Sequence, residues 1–167
     1  MITGWRIAKL PEGRHLRERM TAVVTFGGVG LLPVAPGSWG SLAALPFGFL
    51  LSWMGGWILL LLAAAAASVA GYIYADAYVQ ATGREDPPEI VIDEVATQWM
   101  VLAFVPLSWS GFLAAWLVFR LFDTIKPWPA SWADQEVEGG AGVMLDDLIA
   151  GLYAIPPLVA LNIMGFL

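Results

Sequence analysis

The eight basic and 14 acidic residues of this 167-residue chain all fall in three windows, residues 6–19, 76–94 and 120–147. Between and after them lie uncharged stretches at 20–75, 95–119 and 148–167. A charge at the centre of a bilayer costs about 2.5–3.5 kcal/mol on insertion scales, so the windows mark water and the stretches between them mark lipid. The composition agrees, with 59% hydrophobic and 13% charged residues, against about 45–50% and about 25% in a soluble domain. Nine Trp, eight Phe and six Met exceed the needs of a water-surrounded core. These features predict an integral-membrane protein.

The first uncharged stretch is far longer than the roughly 20 residues of one crossing. It divides at Gly55-Gly56 into 42–54 and 57–75, and the second divides near 106–111 into 95–105 and 112–119. Each pair reads as a hairpin that enters and leaves on one side. The third stretch is about one crossing long. The expected fold is an all-α, compact helical bundle of about five apolar segments, some short or re-entrant, forming a single domain over residues 1–167. Periodicity favours helix in the apolar stretches, with no convincing strand alternation. The run Ala63–Ala67 suits close helix packing, and residues 84–89, with Pro87-Pro88, read as a loop.

Two hairpins and one terminal crossing bring the charged windows to one face. Arg6, Lys9, Arg14, Arg17 and Arg19 form a basic arm within residues 1–20, and positive residues before a first span are held in the cytoplasm. The charged face, and any site on it, is therefore expected to be cytoplasmic, with the carboxyl terminus on the far side. Residues 1–19 lack the apolar core of a cleavable signal.

The net charge of −6 argues against nucleic acid as a partner. The chain has no Cys, which removes thiolate chemistry and disulfides. Its one histidine, His15, sits in the basic arm, away from any acid pair.

Four segments could carry chemistry. Residues 25–42, TFGGVGLLPVAPGSWGSL, are too rich in Gly and Pro for a steady helix. Exposed N–H groups there, at Gly37, Ser38 and Gly40 before a helix starting near Ser41, fit either an anion cradle or a tight turn with a serine cap. Asp93-Glu94 opens an apolar helix, which fits either dipole capping or a hard cation. Arg120, Asp123 and Lys126 follow one helical face, as an ion-pair ladder or as a phosphate site beside a metal ligand. Lys126-Pro127 is expected to end that helix. Finally, a glycine turn at 139–142 delivers Asp146 and Asp147 to the last apolar helix. Adjacent residues differ by about 100° around a helix, so these two acids cannot both point at one spot. Acids inside an apolar run are costly unless paired or metal-bound. Asp134, Glu136 and Glu138 read as a solvated loop, with Asp134 held in reserve.

The blocks PVAPGSWGSLAALP (33–46), IVIDEVATQW (90–99), FRLFDTIKPWPASWADQ (119–135) and GGAGVMLDDLIAG (139–151), in this order, resemble the phosphatidylglycerophosphatase A family of bacterial membrane lipid phosphatases. Ser38 stands where the family often has Thr, and Ala96-Thr97 replaces a pair ending in Gly. The resemblance implies Mg²⁺-dependent removal of the terminal phosphate of phosphatidylglycerophosphate at the cytoplasmic face of the bacterial inner membrane. For such a reaction the acid clusters above, Asp93, Glu94, Asp123, Asp146 and Asp147, are the expected pool of metal ligands and general bases. Arg120 and Lys126 would bind phosphate, assisted by Gly37, Ser38, Gly40 and Ser41. Mg²⁺ would also reconcile an anionic substrate with an acidic chain. The rival reading is a small cation channel or transporter using the acids for ion binding. For topology, cysteines introduced at Gly55 and Ser110 are expected to label from outside the cell, and labelling only from the cytoplasm would overturn the hairpins.

Overall fold

The computed structural model describes His15, residues 18–84 and residues 87–167. Arg6, Lys9, Arg14 and Arg17 of the basic arm, and the 85–86 part of the 84–89 loop, lie outside the described residues. Every regular element among the described residues is helical: α1 (Arg19–Val24), a 3₁₀ turn at Val29–Leu31, α2 (Pro36–Thr82), α3 (Ile92–Leu102), α4 (Trp109–Ile125), α5 (Ala130–Glu136) and α6 (Gly139–Ile163).

α2 is not one straight rod. Gly55 (φ −149°, ψ 15°) and Gly56 (φ 60°, ψ −155°) leave helical geometry, and the positive φ of Gly56 is one that only glycine adopts freely. A straight helix from Gly37 to Gln80 would separate them by about 65 Å. Both instead line the same cavity, so the chain doubles back at the glycine pair, as the sequence predicted. The second reversal also falls where expected, between Leu102 and Trp109. There the Ser108 hydroxyl caps α4 by accepting from the Gly111 N–H at 2.9 Å.

Two boundaries differ from expectation. α2 begins at Pro36, not near Ser41, because proline at the first helical position brings a pre-set φ and lacks an N–H that would go unpaired anyway. The glycines at 139–142 form the first turn of α6 and not a turn before it. Their missing side chains let α6 approach its neighbours. A Cβ on Gly140 would lie 2.3 Å from the Tyr72 carbonyl oxygen, and one on Gly142 would lie 1.8 Å from that of Val137. Of the alanine run, only Ala64 and Ala67 are buried.

Two apolar clusters fill the bundle. Val24, Ala44, Ala75, Tyr78, Ile92, Val95 and Met144 lie toward the charged end. Leu60, Leu102, Phe112, Phe119, Ala154 and Leu158 lie further along. The outside is apolar too, and tryptophans stand at both ends. Trp53, Trp57 and Trp109 are exposed at the two reversals, and Trp128 and Trp132 are exposed near the charged end. Among the described residues, α2 and α6 are long and apolar enough to cross a membrane by length and composition. α3, with 11 residues, reaches only about 16 Å. Two of the described helices are thus of spanning character by length and composition, the first of them folded in half at Gly55-Gly56.

The close α2–α6 approach yields a stability prediction. Gly140→Ala pushes a methyl into backbone that cannot move aside, and overpacking of this kind costs about 1–3 kcal/mol. Its thermal midpoint in detergent should fall measurably, whereas Ala65→Val, at an exposed position on α2, should leave it unchanged.

Candidate active site

The two later charged windows meet in one cavity of about 690 Å³. The start of α2 contributes Gly37 and its end contributes Asp76 and Gln80. The first turn of α3 supplies Asp93 and Glu94, the last turns of α4 supply Arg120 and Asp123, and α6 supplies Asp146 and Asp147. Lys126, in the left-handed region at φ 45°, ends α4, and Asp134 comes from α5.

One carboxylate oxygen each from Asp93, Glu94 and Asp147 lie within 4.8 Å of one another. Asp93 Oδ1, Glu94 Oε2 and Asp147 Oδ2 are buried without a hydrogen-bond partner among the described residues. Buried, unpaired carboxylate oxygens are expensive, and crowding three of them adds repulsion. The arrangement is a donor set of hard oxygens, which fits a small divalent cation such as Mg²⁺.

The bases face the other acids. Arg120 Nη1 lies 2.6 Å from Asp123 Oδ2 and 3.8 Å from Glu94 Oε1. Lys126 Nζ donates to Asp146 Oδ2 at 2.6 Å and also to Asp134. Partial burial alone would lower the Lys126 pKa. The hydrogen bonds and charges of Asp134 and Asp146 outweigh it and raise the ammonium above the ordinary lysine range. Lys126 is thus a fixed cation. The sequence argument about adjacent acids holds, since Asp146 turns to Lys126 while Asp147 joins Asp93 and Glu94.

Of the four residues expected to assist in phosphate binding, the structure brings only Gly37 to the cavity. A Cβ there would sit 1.8 Å from Glu94 Oε1, so the missing side chain makes room for that carboxylate. Gly40 packs on Val91, which a Cβ would meet at 2.7 Å. The buried Ser41 hydroxyl lies near the Gly37 and Ser38 carbonyls, at 3.0 and 3.2 Å, and accepts from Trp116 Nε1 at 3.2 Å. Ser38 faces a separate groove.

Sequence reasoning missed several polar groups. Asp134, held in reserve as part of a solvated loop, is indeed exposed but lies in α5 and partners Lys126. Asp76 accepts from the Gly140 N–H at 3.2 Å and from Gln80 at 2.7 Å, a contact across 64 positions with no local sequence signal. Glu89 is buried and bound by Tyr78 Oη at 3.0 Å and Arg84 at 2.7 Å. Thr97 and Gln98 are fully buried one helical turn beyond Asp93 and Glu94, a spacing that could have been read from the i,i+4 rule.

Comparison with known proteins follows this geometry. The family model described as Phosphatidylglycerophosphatase A matches residues 22–162. Phosphatidylglycerophosphatase A of Escherichia coli (strain K12) is 37% identical over 128 residues, covering 76% of this chain and 74% of that protein. The Haemophilus influenzae protein of the same name is 39% identical over 129 residues, covering 77% and 79%. A putative phosphatidylinositol-3-phosphatase of Bacteroides thetaiotaomicron is 36% identical over 138 residues, covering 76% and 83%. No solved structure matches the chain. The cation-transporter alternative finds no support in these relatives, and the acids gather in one cavity instead of spreading along the bundle. A cavity of crowded acids and fixed bases, in a chain that matches this family over most of its length, has one consistent assignment: the chain belongs to the phosphatidylglycerophosphatase A family and is a hydrolase of the lipid phosphatase class.

Proposed function

We propose that this protein hydrolyses phosphatidylglycerophosphate to phosphatidylglycerol and inorganic phosphate, with Mg²⁺, at the cytoplasmic face of the bacterial inner membrane. The observation that carries the reading is the trio of buried carboxylate oxygens, unpartnered among the described residues, in a cavity that also presents Arg120 and Lys126. The membrane setting is supported by the apolar exterior, by α2 and α6, and by tryptophans at both ends, the placement expected of interfacial aromatics.

In this reading Asp93, Glu94 and Asp147 hold the ion. When bound, Mg²⁺ supplies neutralisation of phosphate oxygens and polarisation of water. Arg120 offers the terminal phosphate a planar pair of donors, and Asp123 fixes its orientation. Lys126, held charged by Asp134 and Asp146, adds a fixed positive charge without acting as a proton donor. Asp146 has one oxygen on Lys126 and the other, Oδ1, buried and without a hydrogen-bond partner among the described residues, a position suited to accepting a proton from the attacking water. That water forms the new P–O bond while the bond to the glycerol oxygen breaks. The proton taken by Asp146 returns to the departing oxygen, giving the free hydroxyl of the product.

Phosphate release from phosphatidylglycerophosphate should require Mg²⁺ and stop on chelation. A parallel assay on phosphatidylinositol 3-phosphate and phosphatidic acid, the former suggested by the Bacteroides relative, reads the substrate choice directly. Activity on neither glycerophosphate nor inositol lipids would overturn the proposal.

Asp146→Asn should lower kcat by about 100-fold or more, and Arg120→Lys should raise KM about tenfold by losing the paired contact. Gly37→Ala is the sharper probe. Its methyl would displace only the Glu94 carboxylate, so activity should fall about 10–100-fold while the thermal midpoint stays near wild type. Full activity in Gly37→Ala would separate Glu94 from the reaction.

A further inference from the structure

Beside the acidic cavity lies a second depression of about 270 Å³, lined by Val34, Ala35, Ser38, Trp39, Leu42 and Trp116. Ala35 lines both. The first turn of α2 divides them, with Gly37 toward the acids and Ser38 and Trp39 toward the groove. On α4, Arg120 lines the cavity and Trp116, one turn earlier, lines the groove.

The direction of these two steps matters. α2 starts at the charged end and leaves it, whereas α4 arrives there. From Gly37 to Leu42 α2 advances about 7.5 Å, and from Arg120 back to Trp116 is about 6 Å, at 1.5 Å per residue. Both displacements lead away from the charged end and into the apolar part of the bundle. The groove is therefore an apolar continuation of a charged cavity, opening outward past Val34 and Trp39, which are 60% and 40% exposed. Its wall is braced, because Trp116 Nε1 donates to Ser41 Oγ across the two helices at 3.2 Å.

A phospholipid has the same polarity in the same order, with an anionic head at the interface and chains running into the hydrocarbon. We propose that the groove between α2 and α4 holds the head-proximal part of an acyl chain of the lipid whose phosphate enters the acidic cavity. This inference rests on the phosphatase reading above and extends it from the head group to the tail. It gives Trp39, Leu42 and Trp116 a role in substrate binding and makes the enzyme sense an attached chain as well as a phosphate. Bulk lipid merely wetting the surface would confer no such preference.

The test compares dioleoyl phosphatidylglycerophosphate with its water-soluble deacylated head group, both assayed for phosphate release in detergent with Mg²⁺. Wild type is expected to favour the acylated substrate. Leu42→Trp, which fills the groove, and Val34→Glu, which places a charge at its rim, should each lower kcat/KM for the dioleoyl lipid about tenfold, the scale of burying a few methylenes. Both should leave the deacylated head group within about twofold of wild type. A proportionate loss on both substrates in both variants, or no loss on either, would overturn the groove assignment while leaving the phosphatase reading intact. Failure of wild type to release phosphate from either substrate would overturn that reading, and this inference with it.

Discussion

The organising constraint of this molecule is the cost of keeping carboxylates inside an apolar bundle. Five acids from three helices, Asp93, Glu94, Asp123, Asp146 and Asp147, share a cavity in a chain whose exterior is largely hydrocarbon. Such charges persist only when compensated. The protein divides the task. Arg120 takes Asp123, Lys126 takes Asp146 together with Asp134, and Asp93, Glu94 and Asp147 are left with buried oxygens that no donor among the described residues satisfies. The imbalance is local, and in the proposed reading a cation offsets it, which would reconcile a net charge of −6 with a phosphate substrate.

Small residues make that concentration of charge geometrically feasible. Gly37 leaves space for the Glu94 carboxylate, and Gly140 and Gly142 let α6 settle against α2 and the chain before it. Gly151 does the same one turn beyond Asp147, where a Cβ would lie 2.5 Å from Thr97 Cγ2. Close approach of helix backbones is what brings acids from α3 and α6 within reach of one another. The glycine-rich segments thus serve the site mainly through packing, with Gly37, Gly139 and Gly142 doing so at the cavity itself.

Charged end and apolar body also set the direction of the whole assembly. Each helix pair begins or ends at the cavity, and each reversal lies at the opposite end, marked by Trp53, Trp57 and Trp109.

Much of this was legible in the order of residues. The confinement of charge to windows, the breaks at Gly55-Gly56 and before Trp109, the end of α4 at Lys126 and the divergence of Asp146 from Asp147 all follow from local rules: solvation cost, glycine φ, proline geometry and a 100° helical step. The family blocks themselves are contiguous in sequence. What the order of residues could not supply were contacts between distant positions. Whether Gly40 cradles an anion or packs on Val91, whether Ser41 faces substrate or Trp116, and whether Asp134 is solvated or clasps Lys126 depend on which helix arrives opposite. The start of α6 at Gly139 is of the same kind, since a glycine run reads as a turn until a neighbour demands its bare backbone. Sequence determined which residues are chemically able to act and at which end of the bundle they gather. Tertiary structure decided which of them meet, because pairing energies between side chains depend on separations of a few ångströms that only the packed helices define.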